Sequence, residues 1–200
     1  MSKSSVTYRS VGNQVPMRIR LLKAASELFS KKGYHATSLM DIARQCGVQK
    51  STVFHHFLSK QALALAAIQD VQTHCDDKVF SRLQKKHGVS PERRAIDFIT
   101  AAHEFIQERA DAFLINFMAM EMVDDKTSAF NEPVQAYFSA WMDALTDILL
   151  PLHGEVGARK LALHSLFYLH GAHLMTRINR DAAGLRQVPS HLLEIWKLKP

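Results

Sequence analysis

The sequence predicts an all-α protein of about nine helices, with a small three-helix module in front of a larger helical body. Three observations carry that expectation. Gly and Pro number only 8 and 6 among 200 residues, so the punctuation that strands and tight turns need is sparse. Apolar residues recur at three- and four-residue steps along most of the chain. Hydrophobic residues make up 47% and charged residues 22%, the usage of a chain that buries a core rather than of a disordered one.

Residues 1–16 are Ser-rich, lack apolar periodicity, carry Lys3 and Arg9 and end at Pro16; they read as a flexible basic arm. From Met17, the stripe Ile19, Leu22, Ala25 and Phe29 predicts a first helix, closed by Lys31, Lys32 and Gly33. Thr37 and Ser38, followed by Asp41, are a helix-start signature for a short second helix whose inner residues are Ile42, Ala43 and Cys46 and which Gly47 stops. A third helix runs Lys50 to Phe57. Val53 and Phe57, with His56 beside them, face inward, while Lys50, Ser51, Phe54 and His55 face out. Two short helices joined by a Gly-containing turn are a helix-turn-helix.

Ser59 caps a fourth helix expected to reach about Lys86, on the stripe Ala64, Ile68, Val71, Cys75, Val79 and Leu83, with His87-Gly88 ending it. A fifth begins near Pro91, its apolar side Ile96, Ile99, Ala102, His103 and Ile106. Residues 112–123 are apolar nearly all round, as a buried helix would be. Glu121, Asp124, Asp125 and Lys126 read as a loop. Pro133 suits a helix start, and Val134, Tyr137, Phe138, Trp141, Met142, Leu145 and Ile148 form its wide apolar face until Pro151 and Gly154. A long helix from about Glu155 to Asn179 and a short tail helix from Ser190 to Leu198 complete the chain. The divisions expected are the arm at 1–16, a head at 17–62 and a body at 63–200, sharing the fourth helix.

Charge is unevenly placed. Residues 1–60 hold ten Lys/Arg against two Asp/Glu, and the rest of the chain 15 against 17. A basic front on a slightly acidic body points to a polyanion, either nucleic acid or an anionic membrane. A membrane surface needs a basic amphipathic helix with its apolar face free, whereas here the module's own core claims those faces. No stretch of 18 apolar residues occurs, and the polar N-terminus does not read as a secretory signal. Two cysteines make no disulfide framework, so a cytoplasmic chain is expected.

Residues 37–63 carry the function. Asp41-Ile42-Ala43, Gly47-Val48, Ser51-Thr52-Val53, Phe54-His55-His56-Phe57 and Ser59-Lys60-Gln61-Ala62-Leu63 resemble the DNA-binding signature of TetR-type transcriptional regulators. Ala24-Ala25, Leu28-Phe29, Lys32-Gly33-Tyr34 and Thr37-Ser38 extend the resemblance over about residues 17–65. A recognition helix must enter a major groove about 12 Å wide. Lys50 is placed to donate to guanine acceptors, and Ser51 to reach a base edge or a phosphate. The resemblance assigns Thr52, Phe54, His55 and Lys60 to phosphate or groove contacts and adds Ser38 at the head of the second helix. This chain departs from the family pattern in three places. Phe54 stands where Tyr is usual and cannot bond a phosphate. Gln49 replaces a capping Ser, and Ser51 replaces a Gly. The arm follows the DNA backbone, enters a minor groove, or is plainly disordered.

The resemblance implies a homodimer built on the last long helices, on the stripe Leu163, Leu166, Phe167, Leu169, Leu174, Met175 and Ile178. It also implies a small-molecule pocket in the body. Candidate lining residues are Phe117, Met118, Phe138, Trp141, Met142 and Phe167, suited to an apolar or aromatic effector, with His103 either a polar anchor or a core histidine. His164, His170 and His173 share a helix, and His170 and His173 share a face; two histidines can begin a metal site but show no third ligand of defined geometry, and a histidine-bearing surface or dimer face is the plainer reading. No nucleophile elbow, dinucleotide loop, phosphate loop or metalloprotease pattern occurs, so no enzymatic activity, cofactor or metal is expected. The expected function is a ligand-responsive repressor on a pseudo-palindromic operator. The alternative is a helical ligand-carrying or partner-binding protein whose DNA-reading module has lost specificity.

Overall fold

The computed structural model describes residues 15–83, 88–109, 111–122 and 127–199. It holds α1 (Met17–Lys32), α2 (Leu39–Cys46), α3 (Lys50–His56), α4 (Lys60–Lys78), a 3-10 turn (Phe80–Leu83), α5 (Pro91–Glu108), α6 (Leu114–Met122), α7 (Asn131–Asn179) and α8 (Ala183–Ile195). Strands are absent among the described residues. Among the described residues the fold is all-helical, with eight helices. Gly154 (φ 67°, ψ 173°) breaks α7 into two halves, so nine helical segments result among the described residues. Most of the arm lies outside the described residues, as do Asp124, Asp125 and Lys126.

In the head, α1–α3 pack around Leu21, Ala25, Phe29, Ile42, Ala43 and Val53, all closed to solvent. Local chemistry sets the ends. Ser38 caps α2 by accepting from Asp41 N–H at 3.1 Å, and Asp41 accepts from Ser38 N–H at 3.0 Å. Those bonds, the Ser38 hydroxyl foremost, hold the Asp41 carboxyl below its ordinary range. Gly47 ends α2 in the left-handed conformation (φ 68°) that side chains disfavour. Arg20 donates to the Cys46 carbonyl at 2.8 Å, and the Arg18 guanidinium lies over the Phe57 ring, so α1 braces both short helices. The fourth helix, α4, packs on α1 and also on α5, α6 and α7.

Four elements differ from the sequence expectation. The fourth helix ends at Lys78, not Lys86. Asp76 and Asp77 oppose the dipole in its last turn, and the chain tightens into the 3-10 turn while Val79 stays buried. The buried face of α5 is rotated towards its two phenylalanines, Ala95, Phe98, Ile99 and Phe105, leaving Ile96 half-buried. The sixth helix is buried on one face only: Leu114, Ile115 and Met118 are closed, whereas Met120 is 68% exposed. Glu121, expected in a loop, belongs to this helix. The tail helix begins at Ala183 and carries Pro189 inside it, where the sequence suggested a start just after that proline.

Candidate DNA-reading head and body cavities

Ser59 caps α4 by accepting from Ala62 N–H at 3.0 Å, and Gln49 makes no side-chain cap on α3, as the departure from Ser implies. Between these ends α3 turns Val53 into the core and leaves Lys50, Ser51, Phe54 and His55 in solvent, with Thr52 half-buried. Lys50 Nζ stands 5.5 Å from the centre of the Phe54 ring, which is 44% exposed. One face of α3 thus presents a cation, a hydroxyl, an aromatic ring and an imidazole side by side.

Two of the seven head residues, Ser38 and Lys60, are engaged in side-chain hydrogen bonds within the protein. The Ser38 hydroxyl donates to Asp41 at 2.7 Å and accepts the Asp41 N–H, so it is occupied by its own cap. Lys60, which the resemblance assigns to a phosphate, turns back into the protein. Its Nζ donates to the Tyr34 carbonyl at 2.9 Å and the Thr37 carbonyl at 3.0 Å and sits 4.2 Å over the Tyr34 ring. Burial pushes its pKa down, against the opposing pull of Glu121.

The body forms an apolar cavity between α5, both halves of α7 and α8. Phe98, Ile99, Ala102, His103, Trp141, Leu145, Ser165, Leu166, Leu169, Val188, Leu192 and Trp196 are among its walls. Its volume is about 30 Å³, room for roughly two waters. Its polar groups are few. Ser165 accepts the Trp196 indole N–H at 2.9 Å, and the ring nitrogen Nε2 of His103 lies 2.7 Å from the Gln107 amide. Burial lowers the His103 pKa, against the opposing pull of Glu104.

The structure does not bring the seven expected lining residues together. His103 and Trp141 line the cavity. Phe138 and Met142 line an open groove of about 380 Å³ with Asp143, Thr146 and Arg159. Met118 is closed in the core, Phe117 lies under Arg177, and Phe167 is 64% exposed. Sequence reasoning missed most of the walls, which come from α5, both halves of α7 and α8 together. The histidine set also divides. His164 is exposed, whereas His170 and His173 turn inward against α6, not onto an outer face. His173 stacks on Phe113 at 3.4 Å, and His170 Nδ1 is 2.8 Å from the Asn116 amide. Burial lowers both pKa values, that of His173 to about 4. Among the described residues no group of three His, Cys, Asp or Glu could hold a metal.

Comparison with known proteins decides the family. The model for bacterial regulatory proteins of the tetR family matches residues 21–67. The model for the LmrA/YxaF-like transcriptional regulator C-terminal domain matches residues 91–191, half of the chain. The chain belongs to the TetR family of transcriptional regulators. That is a family of regulators, not of enzymes. The HTH-type transcriptional regulator UidR of Escherichia coli is 32% identical over 114 residues, covering 57% of this chain and 56% of UidR. The match therefore spans just over half the length of that relative. A TetR transcriptional regulator from Chloroflexus aurantiacus superposes with a TM-score of 0.73 at 25% identity, over 88% of this chain and 92% of that one. One from Legionella pneumophila reaches 0.78 at 20% identity, over 94% and 100%. As a TetR-family chain it has the family's helix-turn-helix at the front, and no helix among its described residues is long and apolar enough to cross a membrane.

Proposed function

We propose that this TetR-family chain is a cytoplasmic, ligand-responsive repressor that acts as a homodimer on a pseudo-palindromic operator in duplex DNA. The observation that carries the reading is the outward face of α3 on a basic front. Its side chains are free of the core that its other face completes. Lys50 serves guanine O6 and N7, Ser51 and Thr52 reach phosphate or base edges, and His55 reaches the backbone. Phe54 cannot bond a phosphate. In the groove its ring has one apolar counterpart, the thymine C5-methyl group.

The dimer reading rests on the second half of α7. Val156, Leu163, Phe167, Leu174 and Ile178 are all exposed at steps of seven and four residues, a continuous apolar seam that one more helix pair would cover. The effector reading rests on the apolar cavity. At about 30 Å³ it is too small for a bulky apolar or aromatic ligand, which enters only if α5 and α8 part. His103 is its polar anchor, with Phe138, Met142 and Phe117 reached as the helices separate.

Binding of operator duplex at increasing salt tests the reading. With about eight phosphates neutralised per dimer, the log–log slope lies near −7. A flat dependence contradicts it. A folded dimer that binds no duplex supports the ligand-carrying alternative, which the unbonded Gln49 cap favours.

A further inference from the structure

The α1–α2 turn, residues 33–37, is held by side chains from outside the head. Glu121, in the last turn of α6, accepts the Tyr34 N–H at 2.6 Å and the His35 N–H at 3.4 Å on one carboxylate oxygen. The approach is close. A Cβ added at Gly33 would fall onto that carboxylate, the movable end of the Glu121 side chain, while φ 88° is the ground on which the position favours glycine. Arg177, in the last turn of α7, donates to the Ser30 carbonyl at 2.7 Å and the Lys31 carbonyl at 3.4 Å. These are terminal carbonyls of α1, where a cation complements the helix dipole. Lys60 completes the grip by taking the turn's own carbonyls.

The two outer residues belong to one packed unit. The Arg177 guanidinium lies 4.0 Å over Phe117, and His173, one turn earlier, sits between Phe113 and Phe117. Neither Glu121 nor Arg177 is buried, and neither supplies apolar surface to the head's core. Both instead commit charge-assisted, directional bonds to backbone atoms of a turn. Such bonds fix orientation more than they add stability.

We propose that Glu121 and Arg177 are positioning residues for DNA binding. They form a two-point latch from the body to the α1–α2 turn that sets the angle of each head and hence the half-site spacing the dimer accepts. The inference rests on the DNA-binding reading, because spacing has meaning only for two heads on one duplex.

The test uses duplexes selected by the full-length chain from a random library, then re-made with one base pair inserted or removed between half-sites. Each such change rotates one half-site by roughly 35°. The wild-type chain loses about 100-fold in affinity on the altered spacings. Glu121→Ala and Arg177→Ala bind the original operator about tenfold more weakly, yet lose less than about tenfold further on the altered ones. Glu121→Gln, which keeps a carbonyl acceptor, retains the wild-type preference. A purely structural role would lower the melting temperature and leave the preference unchanged, and that result overturns the proposal. Amide hydrogen exchange supplies a readout without DNA. Tyr34 and His35 N–H are protected in the wild-type chain and exchange at least about tenfold faster in Glu121→Ala. Unprotected amides in the wild-type chain overturn the latch itself. Protected amides in a chain that binds no duplex overturn the DNA reading, and the positioning role with it, while leaving the contact in place.

Discussion

In the head, the residues that make the helices and the residues that face outward for use are neighbours in sequence. Ser38 starts α2, Gly47 ends it and Ser59 starts α4; between them α3 shows its outward face within six residues, Lys50 to His55. In the body, the cavity wall runs from Phe98 to Trp196 and draws on three helices. Neither Phe130 before α7 nor Ala182 before α8 makes a side-chain cap; α8 starts on one local bond, Ala183 N–H to Asp181 at 3.0 Å, and both helices are placed more by packing than by local chemistry. A surface that reads DNA needs only one helix correctly phased, so it is written locally. A cavity needs several helices to be phased and docked together, so it is not.

The largest effects should separate the two regions. Phe29 and Trp196 are both fully buried, one in the head and one in the body. Replacing either by Ala costs about 3–5 kcal/mol in chemical unfolding. Phe29→Ala abolishes operator binding, because α1 no longer carries α2 and α3. Trp196→Ala leaves the operator recognised at temperatures where the chain stays folded, and opens the cavity to small aromatic probes that raise its melting temperature. Equal loss of operator binding from both would break the comparison.

Next in size, Lys50→Ala should remove about 1–3 kcal/mol of discrimination at the guanine it reads and relax sequence preference there. Deoxyuridine for thymine in the operator should weaken the wild-type chain and leave Phe54→Ala unaffected. Both are read by competition binding.

Ser38→Ala removes the α2 cap and costs about 1 kcal/mol, a melting shift of about 2–4 °C. The body's counterpart is a pH effect. Burial first, then the Arg177 and His170 charges, hold His173 neutral in the folded chain down to about 4, whereas an unfolded histidine protonates near 6.5. Between these values the unfolded chain binds more protons. The contribution of His173 is therefore complete above about pH 6.5 and falls as the pH drops towards 4. Because the ring is only half-buried and solvent screens it, the loss at pH 5 is about 1 kcal/mol or less. His173→Gln removes that part of the acid sensitivity, which melting curves at pH 5 and 7.5 measure.

The same contrast explains what the sequence revealed. The helical class, the caps at Ser38 and Ser59, the stop at Gly47 and the break at Gly154 were legible because each rests on one residue with a specific backbone or side-chain preference. The α3 face was legible because Val53 and Phe57 fix its rotation. The internal role of Lys60 was not, since the carbonyls it serves lie more than 20 residues away. Glu121 and Arg177 carried no local signal, their partners being 86 or more residues distant. The body misled where two apolar phases were equally regular, as in α5, and where a proline inside a helix imitated a boundary, as in α8.

The most direct test of the central claim is selection from a random duplex library by the purified chain at physiological salt, with excess non-specific competitor. The account predicts enrichment of one pseudo-palindrome, with a guanine in each half-site whose preference Lys50→Ala relaxes. A folded chain that enriches no sequence, or an enriched sequence that Lys50→Ala reads unchanged, would contradict it.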